Sequence, residues 1–166
     1  MLILPDAQKV AIIDPRKKMG EEGQYTTHTG SQEALETVIG DAREAGMELR
    51  YYYTDMSDGN GENVPIKVIV TEIPPYHVQP FHTHSNVHEV STVLFGEVVA
   101  VDSDTLVEAN HQEIEEVGTV VKRGGSIIAD RGVRHTVANF SDSVAVFITQ
   151  NVLPLPKGED FEPDWK

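Results

Sequence analysis

The chain contains no cysteine among its 166 residues. This absence excludes disulfide bonds, thiolate nucleophiles and sites in which cysteine holds zinc or an iron–sulfur cluster. Any metal site in this protein must therefore be built from histidine and carboxylate ligands.

Basic residues are scarce relative to acidic ones. The sequence has 13 Lys and Arg against 27 Asp and Glu, which gives a formal net charge of -14. Such a chain repels phosphate backbones and anionic lipids, so we expect neither nucleic acid nor a membrane as its partner. Acidic surfaces also serve solubility alone, and the charge by itself therefore defines no site.

Long apolar runs are missing as well. No stretch approaches the roughly 20 apolar residues that a membrane helix needs, and no basic segment followed by an apolar one starts the chain. We therefore expect a cytoplasmic location. The length fits one domain with a hydrophobic core rather than two.

Helical periodicity occurs in the N-terminal part of the sequence. Between Ser31 and Met47, four apolar residues recur at helical spacing: Leu35, Val38, Ile39 and Ala42. Thr29 or Ser31 is a candidate N-cap, and Gly46 is a candidate stop. We expect an N-terminal arm, residues 1–48, with a strand over Val10–Ile13, an irregular polar segment over Arg16–Gly30 and one amphipathic helix.

From Leu49 to Val152 the sequence changes to short β-branched and aromatic runs separated by turn residues. The predicted strands are Leu49–Asp55, Ile66–Glu72, His77–His84, His88–Leu94, Glu97–Val101, Glu113–Val121, Ser126–Ala129, His135–Phe140 and Val144–Val152. Many short strands at regular spacing predict an all-β sandwich or barrel. We therefore divide the chain into the arm, a β-barrel over residues 49–153, and a tail over residues 154–166 that packs on the barrel or on a partner.

Two histidines and a glutamate cluster at a spacing that suits one metal ion. His82 and His84 are two positions apart, so on a strand both side chains face the same side. Glu89 follows His84 at an odd offset, which would place it on the opposite face of a straight strand. A bend at Ser85-Asn86, residues that favour turns, would aim all three side chains at one centre.

Strand parity also predicts the orientation of the neighbours of Glu89. Ser91 and Val93 should share its face, whereas His88 should point outward. Isolated polar residues are usually exposed, so we interpret the other unassigned histidines as surface residues: His28, His77 and His111.

A second cluster supplies a further candidate ligand, His135. It comprises Gly124, Asp130-Arg131-Gly132, His135 and Asn139. This cluster resembles the second conserved motif of the cupin superfamily, and Pro80-Phe81-His82-Thr83-His84 with Glu89 and Gly96 resembles the first. The resemblance covers Leu49 to Val152. Tyr76 replaces the usual opening glycine of the first motif and Asp130 the usual proline of the second, and neither position is a ligand.

The resemblance implies a single cupin-type double-stranded β-helix, a small jelly-roll barrel. It also implies one divalent metal held by four residues: His82, His84, Glu89 and His135. Three imidazoles and one carboxylate suit Mn, Fe, Co, Ni, Cu or Zn, and do not suit Ca or Mg, which prefer oxygen ligands. The alternative is four polar residues satisfied by hydrogen bonds, although burying so many ionisable groups is costly.

Two classes of function fit such a barrel. The first is a metal-dependent enzyme acting on a small organic substrate, with dioxygenase-type oxidation placed before isomerisation or epimerisation. Glu89 is its candidate catalytic base, and Arg131, Arg134 and Gln150 are candidate substrate-binding residues, although solvated loop charge is the alternative for the two arginines. The second class is a non-catalytic module that binds a sugar or an organic acid and carries a structural metal.

The expected partners are a small molecule and a second copy of the chain. Open sheet edges are commonly covered by a partner, and the arm and the apolar tail are available to do so. We therefore expect a homodimer.

Overall fold

Two antiparallel sheets and two helices form the part of the chain that the computed structural model describes, residues 9–53, 67–85 and 87–152. The helices are α1 (Gln32–Glu44) and α2 (His111–Val117). The strands are β1 (Lys9–Ile13), β2 (Tyr25–Thr29), β3 (Glu48–Tyr53), β4 (Lys67–Ile73), β5 (His77–Val78), β6 (His88–Phe95), β7 (Glu97–Asp102), β8 (Thr119–Lys122), β9 (Ser126–Ala129), β10 (His135–Asn139) and β11 (Ala145–Val152).

The strand order is that of a jelly roll. The large sheet has the order β2-β1-β3-β4-β11-β6-β9, and the small sheet has the order β5-β10-β7-β8. The chain changes sheet at each step from β4 to β7 and at each step from β8 to β11. These crossings wrap the two sheets around a common interior, and the predicted all-β barrel with an N-terminal helix is confirmed.

The N-terminal segment joins the large sheet. β1 pairs with β3, and β2 pairs with the other edge of β1. Alternation along β1 places Ala11 against Tyr52 and Ile69 on the inner face, whereas Val10 packs beneath α1 on the outer face. The large sheet therefore continues into residues that precede the predicted barrel.

The predicted helix is confirmed as α1. Ser31 is its N-cap, and the Ser31 hydroxyl accepts a hydrogen bond from a backbone N–H of the first turn at 3.4 Å. The chain leaves the helix at Gly46, whose φ of 70° lies in the left-handed region. Leu35 and Ala42 are buried against the outer face of the sheet, where they meet Val10, Leu49, Tyr51 and Val70. Because α1 covers this face, β3 is buried on both sides.

Part of one predicted strand is a helix. Residues His111–Val117, most of which fell in the predicted strand Glu113–Val121, form α2, and only Thr119–Lys122 is extended. Ile114 is fully buried and packs with Val99 and Val101 of the small sheet. A single apolar anchor among glutamates and glutamine, which favour helices, suits one short helix on the barrel surface.

The predicted strand His77–His84 is also too long. β5 ends at Val78, and beyond it His82 makes only an isolated bridge to His135. Pro80 has no N–H to donate, and the N–H of Phe81 donates to the carboxylate of Glu108 at 2.7 Å. In the N-terminal arm the error is the opposite, since part of the predicted irregular segment forms β2.

Several predicted features lie outside the described residues. They are the start of the chain up to residue 8, the turn Asp58-Gly59-Asn60-Gly61, residue Asn86 of the predicted bend, and the tail over residues 154–166. Neither of the two helices in the described ranges has the length and apolar character required to cross a membrane.

Gly96 of the first motif offers a test of the fold. Its φ is 73°, and an added Cβ would lie 3.2 Å from the carbonyl oxygen of Val144 and 3.3 Å from the Cα of Ala145. We expect Gly96→Ala to lower the free energy of unfolding by at least about 1–2 kcal/mol, measured by chemical denaturation. Gly40→Ala is the control, because Gly40 lies within α1 and has nothing within 4 Å of the added atom. That variant should be more stable than the parent by roughly 1 kcal/mol, and equal effects at the two positions would contradict this account.

Candidate metal centre and cavity

The four predicted ligands come together inside the barrel. His82, His84, Glu89 and His135 each offer one ligand atom, and these atoms all lie within 4.8 Å of one another. The three imidazoles are buried, and the Glu89 side chain is 16% exposed. Glu89 Oε1 lies 3.3 Å from His84 Nε2, and Glu89 Oε2 lies 3.3 Å from His135 Nε2. This four-residue group could hold a metal ion.

Backbone hydrogen bonds between distant segments hold these side chains in place. The N–H of His82 donates to the carbonyl of His135 at 3.0 Å, and the N–H of His135 donates to the carbonyl of His82 at 2.9 Å. The carbonyl of His84 accepts from the N–H of Gly132 at 2.8 Å. Glu89 lies on β6, between β11 and β9. The segment after β5, which is not a regular strand, is therefore fixed by its pairing with the second motif.

Two of the imidazoles are oriented by carbonyl groups. His82 Nδ1 lies 2.8 Å from the oxygen of Pro80, and His135 Nδ1 lies 3.0 Å from the oxygen of Val133. A carbonyl can only accept, so each Nδ1 must carry the proton and donate it. In the neutral imidazole, Nε2 then keeps its lone pair, which is the form that binds a metal, and His135 must give up the proton that it shares with Glu89 to adopt this form. The donor set thus fits a divalent transition metal.

The electrostatics favour a neutral His82 and an ionised Glu89. Burial lowers the pKa of His82 to about 3, and the nearby charge of His135 acts in the same direction. Burial acts to raise the pKa of Glu89, but hydrogen bonds from His135 and His84 hold it well below its usual range. Burial acts to lower the pKa of His135, but its hydrogen bonds to Glu89 and to the Val133 carbonyl raise it. A neutral imidazole and an ionised carboxylate are the states in which these side chains bind metals.

The residues around Glu89 lie as strand parity predicts. Ser91 and Val93 are buried, and the Ser91 hydroxyl lies 2.7 Å from that of Thr149 on β11. His88 points away from the group, and its Nδ1 lies 3.1 Å from a carboxylate oxygen of Asp130. The outward orientation of His88 is therefore confirmed.

Asn139, at the end of the second motif, has a structural position. Its amide group donates to the backbone oxygens of Ile73 at 3.1 Å, Pro74 at 3.2 Å and Ser143 at 2.7 Å. Its side-chain oxygen accepts from the N–H of Ser141 at 3.0 Å. Asn139 thus joins the ends of β4 and β10 to the turn that precedes β11.

A cavity of about 520 Å³ lies beside the four-residue group. Its volume falls in the range of about 300–1,000 Å³ that is usual for small-molecule sites. His82, Glu89 and His135 face it. Apolar side chains form much of the wall: Ile13, Met19, Ile69, Val137 and Phe147. The polar and charged lining includes Lys9, Arg50, Thr71, Gln79, Ser91 and Thr149.

The three predicted substrate-binding residues are placed elsewhere. Arg131 is exposed. Arg134 donates to the carbonyl of Ser103 at 2.6 Å, and its guanidinium lies 4.3 Å from the centre of the Phe81 ring. Gln150 is exposed, because alternation along β11 turns Thr149 inward instead. None of these three side chains lines the cavity, and their role in substrate binding stays a prediction.

Sequence reasoning missed a buried ionic network on the cavity wall. Glu48 is fully buried, and its Oε1 accepts from Arg50 Nε at 2.8 Å and from Gln79 Nε2 at 2.7 Å. Its Oε2 lies 2.7 Å from His77 Nε2, so the predicted surface position of His77 is wrong. Burial acts to raise the pKa of Glu48, but the charge of Arg50 and the bond to His77 lower it to about 2. The available signal was the Glu48, Arg50, Tyr52 alternation at the start of β3.

The N-terminal arm also contributes to the cavity, which the sequence did not reveal. Met19, Gly20 and Gln24, from the connection between β1 and β2, line it together with Tyr25. The Tyr25 hydroxyl lies 2.8 Å from that of Tyr52. The same connection is closed by a hydrogen bond from the N–H of Asp14 to the carbonyl of Gln24 at 2.9 Å. The arm thus forms part of the cavity wall.

Known proteins resemble this chain in fold rather than in sequence. No family model matches the sequence, and no curated protein matches it. A recombinant oxalate oxidase in complex with glycolate superposes with a TM-score of 0.51 at 16% identity, over 72% of this chain and 54% of that chain. A predicted oxalate decarboxylase from Thermotoga maritima gives 0.47 at 19%, over 66% of this chain and 83% of that one. A sugar phosphate isomerase of the cupin superfamily from Silicibacter pomeroyi gives 0.48 at 17%, over 68% and 62%.

These similarities concern the fold alone. The chain spans about half the length of the oxalate oxidase, at 54%. Another solved structure with this architecture is a protein with a double-stranded β-helix domain from Klebsiella pneumoniae, at 19% identity and a TM-score of 0.47. The chain has the double-stranded β-helix of cupin proteins, and the predicted resemblance is confirmed at that level.

Proposed function

We propose that this protein is a metal-dependent enzyme that converts a small organic molecule, with oxygen-dependent oxidation as the first reaction class and isomerisation as the second. The observation that carries the proposal is that His82, Glu89 and His135 belong both to the four-residue group and to the cavity lining. Structural metal sites are closed by protein ligands, whereas catalytic sites keep positions open to a substrate. A metal held beside a cavity of this size favours catalysis.

The ligands proposed for the metal are His82, His84, Glu89 and His135. When bound, a transition metal of this ligand class supplies Lewis acidity and, if it is redox-active, electron transfer with O2. The protein supplies the surroundings for that chemistry. Ile69 and Phe147 exclude water from the cavity wall, and the hydroxyls of Thr71 and Thr149 can orient polar groups of a bound molecule.

Glu89 is the proposed catalytic base. Its carboxylate faces the cavity, and the histidines around it keep it ionised, since they lower its pKa. An ionised carboxylate beside a substrate can accept a proton at Oε1 or Oε2. Its two oxygens lie 3.3 Å from His84 Nε2 and 3.3 Å from His135 Nε2, so both histidines contribute to its orientation.

Metal analysis and turnover assays test this proposal together. We expect protein purified without added metal to contain about one transition-metal ion per chain, by elemental analysis. We also expect at least one member of a panel of carboxylic acids, carbonyl compounds, thiols and enediols to be turned over, monitored by O2 consumption and by NMR for isomerised products. The panel includes oxalate and glycolate because the similarly folded oxalate oxidase binds glycolate.

The role of Glu89 is tested on the substrate that the panel identifies. Glu89→Gln should lower kcat by about 100-fold to 10,000-fold, as loss of a general base does. Glu115→Gln, at an exposed position of α2, is the control and should retain parental activity. A metal-loaded protein that binds members of the panel without converting any would instead be a non-catalytic binding module.

The assembly and location of the protein stay predictions. The homodimer expected from the sequence would suit β2, which forms one edge of the large sheet and is mostly exposed. The cytoplasmic location likewise remains part of the proposal.

A further inference from the structure

We propose that Arg50 binds a carboxylate group of the substrate, so that the molecule taken into the cavity is a small organic anion. The inference deepens the proposed function and rests on it, because it concerns the same cavity. It assigns a binding role to a residue that neither cupin-like motif contains.

Arg50 is placed where a ligand can reach it from the cavity. It lies on β3, is 4% exposed, and lines the same cavity as His82 and Glu89. The guanidinium and three of the four candidate ligands therefore border one cavity. A ligand that fills this cavity can approach both.

Glu48 is the positioning residue for this arginine. A guanidinium presents five N–H donors in a rigid plane, and its Nε donates to Glu48 Oε1 at 2.8 Å. Glu48 is in turn fixed by His77 at 2.7 Å and by Gln79 at 2.7 Å. Because His77, on the small sheet, fixes the Glu48 carboxylate, the plane of the Arg50 guanidinium is fixed as well. A preorganised guanidinium suits a carboxylate in both charge and geometry.

A purely structural role explains this pair less well. A buried ion pair contributes little net stability, because desolvation of both charges offsets their attraction, and apolar residues often serve as well. The Arg50 side chain, although buried, also lines the cavity. A charge kept at the wall of a cavity, at the cost of its desolvation, points to an interaction with what the cavity binds.

The charge of the cavity differs in sign from that of the chain. The formal net charge of the protein is -14, yet Lys9 and Arg50 both line the cavity, with Lys9 Nζ 4.6 Å from the centre of the Tyr52 ring. With a divalent ion bound, the positive charges of Lys9, Arg50 and the ion together exceed the two negative charges of the Glu89 and Glu48 carboxylates. Such a site attracts anions and disfavours cations. The apolar wall opposite accommodates the remainder of an organic acid.

Matched pairs of acids and amides test the inference directly. The probes are glycolate with glycolamide and phenylacetate with phenylacetamide, whose shapes agree while their charges differ. Dissociation constants are measured by calorimetry on the metal-loaded protein and on protein stripped with a chelator. We expect at least one acid to bind about 10-fold to 100-fold more tightly than its amide, in both forms of the protein.

Substitutions then assign that preference to Arg50. In the double variant Glu48→Gln with Arg50→Gln, which leaves no buried charge behind, the ratio of acid to amide affinity should fall to about 1. Arg50→Lys keeps the charge but loses the planar fork, so the acid should bind about 10-fold more weakly while amide binding stays unchanged. Arg43→Gln is the control, because it removes an arginine that pairs with Glu72 on the outside of the sheet. It should keep the full preference.

Three results would overturn the inference. The first is a preference for the acid that survives in the folded double variant, or that persists undiminished in Arg50→Lys. The second is a preference that disappears when the metal is removed. The third is the absence of any preference in the parent protein. The second result would mean that the carboxylate binds the metal rather than Arg50. Each of these results leaves the proposed enzymatic function standing, provided that metal content and turnover persist. Conversely, a protein without metal that still prefers acids through Arg50 would refute the enzyme and retain the anion site.

Discussion

His84→Ala is expected to remove the metal from the purified protein. His84 is 1% exposed, and its Nε2 lies 3.3 Å from Glu89 Oε1 within the four-residue group. Loss of a residue that merely orients a ligand costs about 10-fold to 100-fold in metal affinity, and loss of the ligand itself should cost more. Elemental analysis after dialysis against a weak chelator should find a metal content near zero, where the parent protein holds about one ion per chain.

His88→Ala is the matched control. It removes the same imidazole from a side chain that is 38% exposed and lies 3.1 Å from Asp130 rather than beside the group. Metal content should stay at the parental level. Glu89→Gln serves as a second variant that changes no volume, so that loss of metal can be separated from loss of fold. Parental metal content in both His84→Ala and Glu89→Gln would show that the ion, if present, binds elsewhere.

Glu48→Gln should cause a large loss of stability. Arg50 is buried beside Glu48 at 2.8 Å, and the substitution leaves its charge without the carboxylate that compensates it. Breaking a buried ion pair on one side costs about 3–5 kcal/mol, whereas removal of both charges is much less costly. Chemical denaturation should therefore find Glu48→Gln far less stable than the parent, and the double variant with Arg50→Gln closer to it.

A carboxylate on the outside of the same sheet gives the comparison. Glu72 pairs with Arg43, and the Glu72 and Arg43 side chains are 16% and 54% exposed. Because the arginine reaches water, its charge is not left buried in Glu72→Gln, and the loss should be smaller than that of Glu48→Gln. Equal losses at the two positions would show that burial does not set the strength of the Glu48 pair.

Glu48 also predicts a dependence of stability on pH. The carboxyl groups of unfolded chains titrate near their usual value of 4.5, and the pKa of Glu48 in the folded protein is lowered to about 2. The folded state therefore binds this proton less readily, so the stabilisation is complete above pH 4.5 and is lost as the pH falls towards 2. The metal-free parent should lose roughly 3 kcal/mol more than Glu48→Gln across this range. Parallel stability curves for the two proteins would contradict the assignment.

Strand parity accounts for what could be predicted near Glu89. The inward positions of Ser91 and Val93 and the outward position of His88 all follow from alternation along one regular strand. The same rule failed before Glu89, because residues 79–84 are not a strand. His82 and His84 reach the centre through an isolated bridge to His135 and a hydrogen bond from Gly132. The four candidate ligands do come together, but not with the strand geometry that was assumed for them.

The polar interior of the barrel was harder to predict. Alternation places Glu48 and Arg50 on one face of β3, but it does not say which face. Both faces of β3 are buried, because one lines the barrel interior and α1 covers the other. His77 was predicted to lie on the surface because isolated polar residues are usually exposed. It is instead buried, and its Nε2 lies 2.7 Å from Glu48 Oε2 across the barrel. A buried polar residue depends on a partner that is distant in sequence, and no local pattern identifies that partner.

The sequence by itself determined the candidate ligands and the architecture. Without cysteine, a metal site had to use histidine and carboxylate, and the two motifs contain the four residues that meet inside the barrel. The tertiary structure alone decided what faces them. It brought Arg50 and the connection after β1 to the cavity, and it placed Arg131, Arg134 and Gln150 away from it. The physical reason is that ligand chemistry and strand periodicity are local properties, whereas a cavity is formed by segments whose pairing depends on the whole fold.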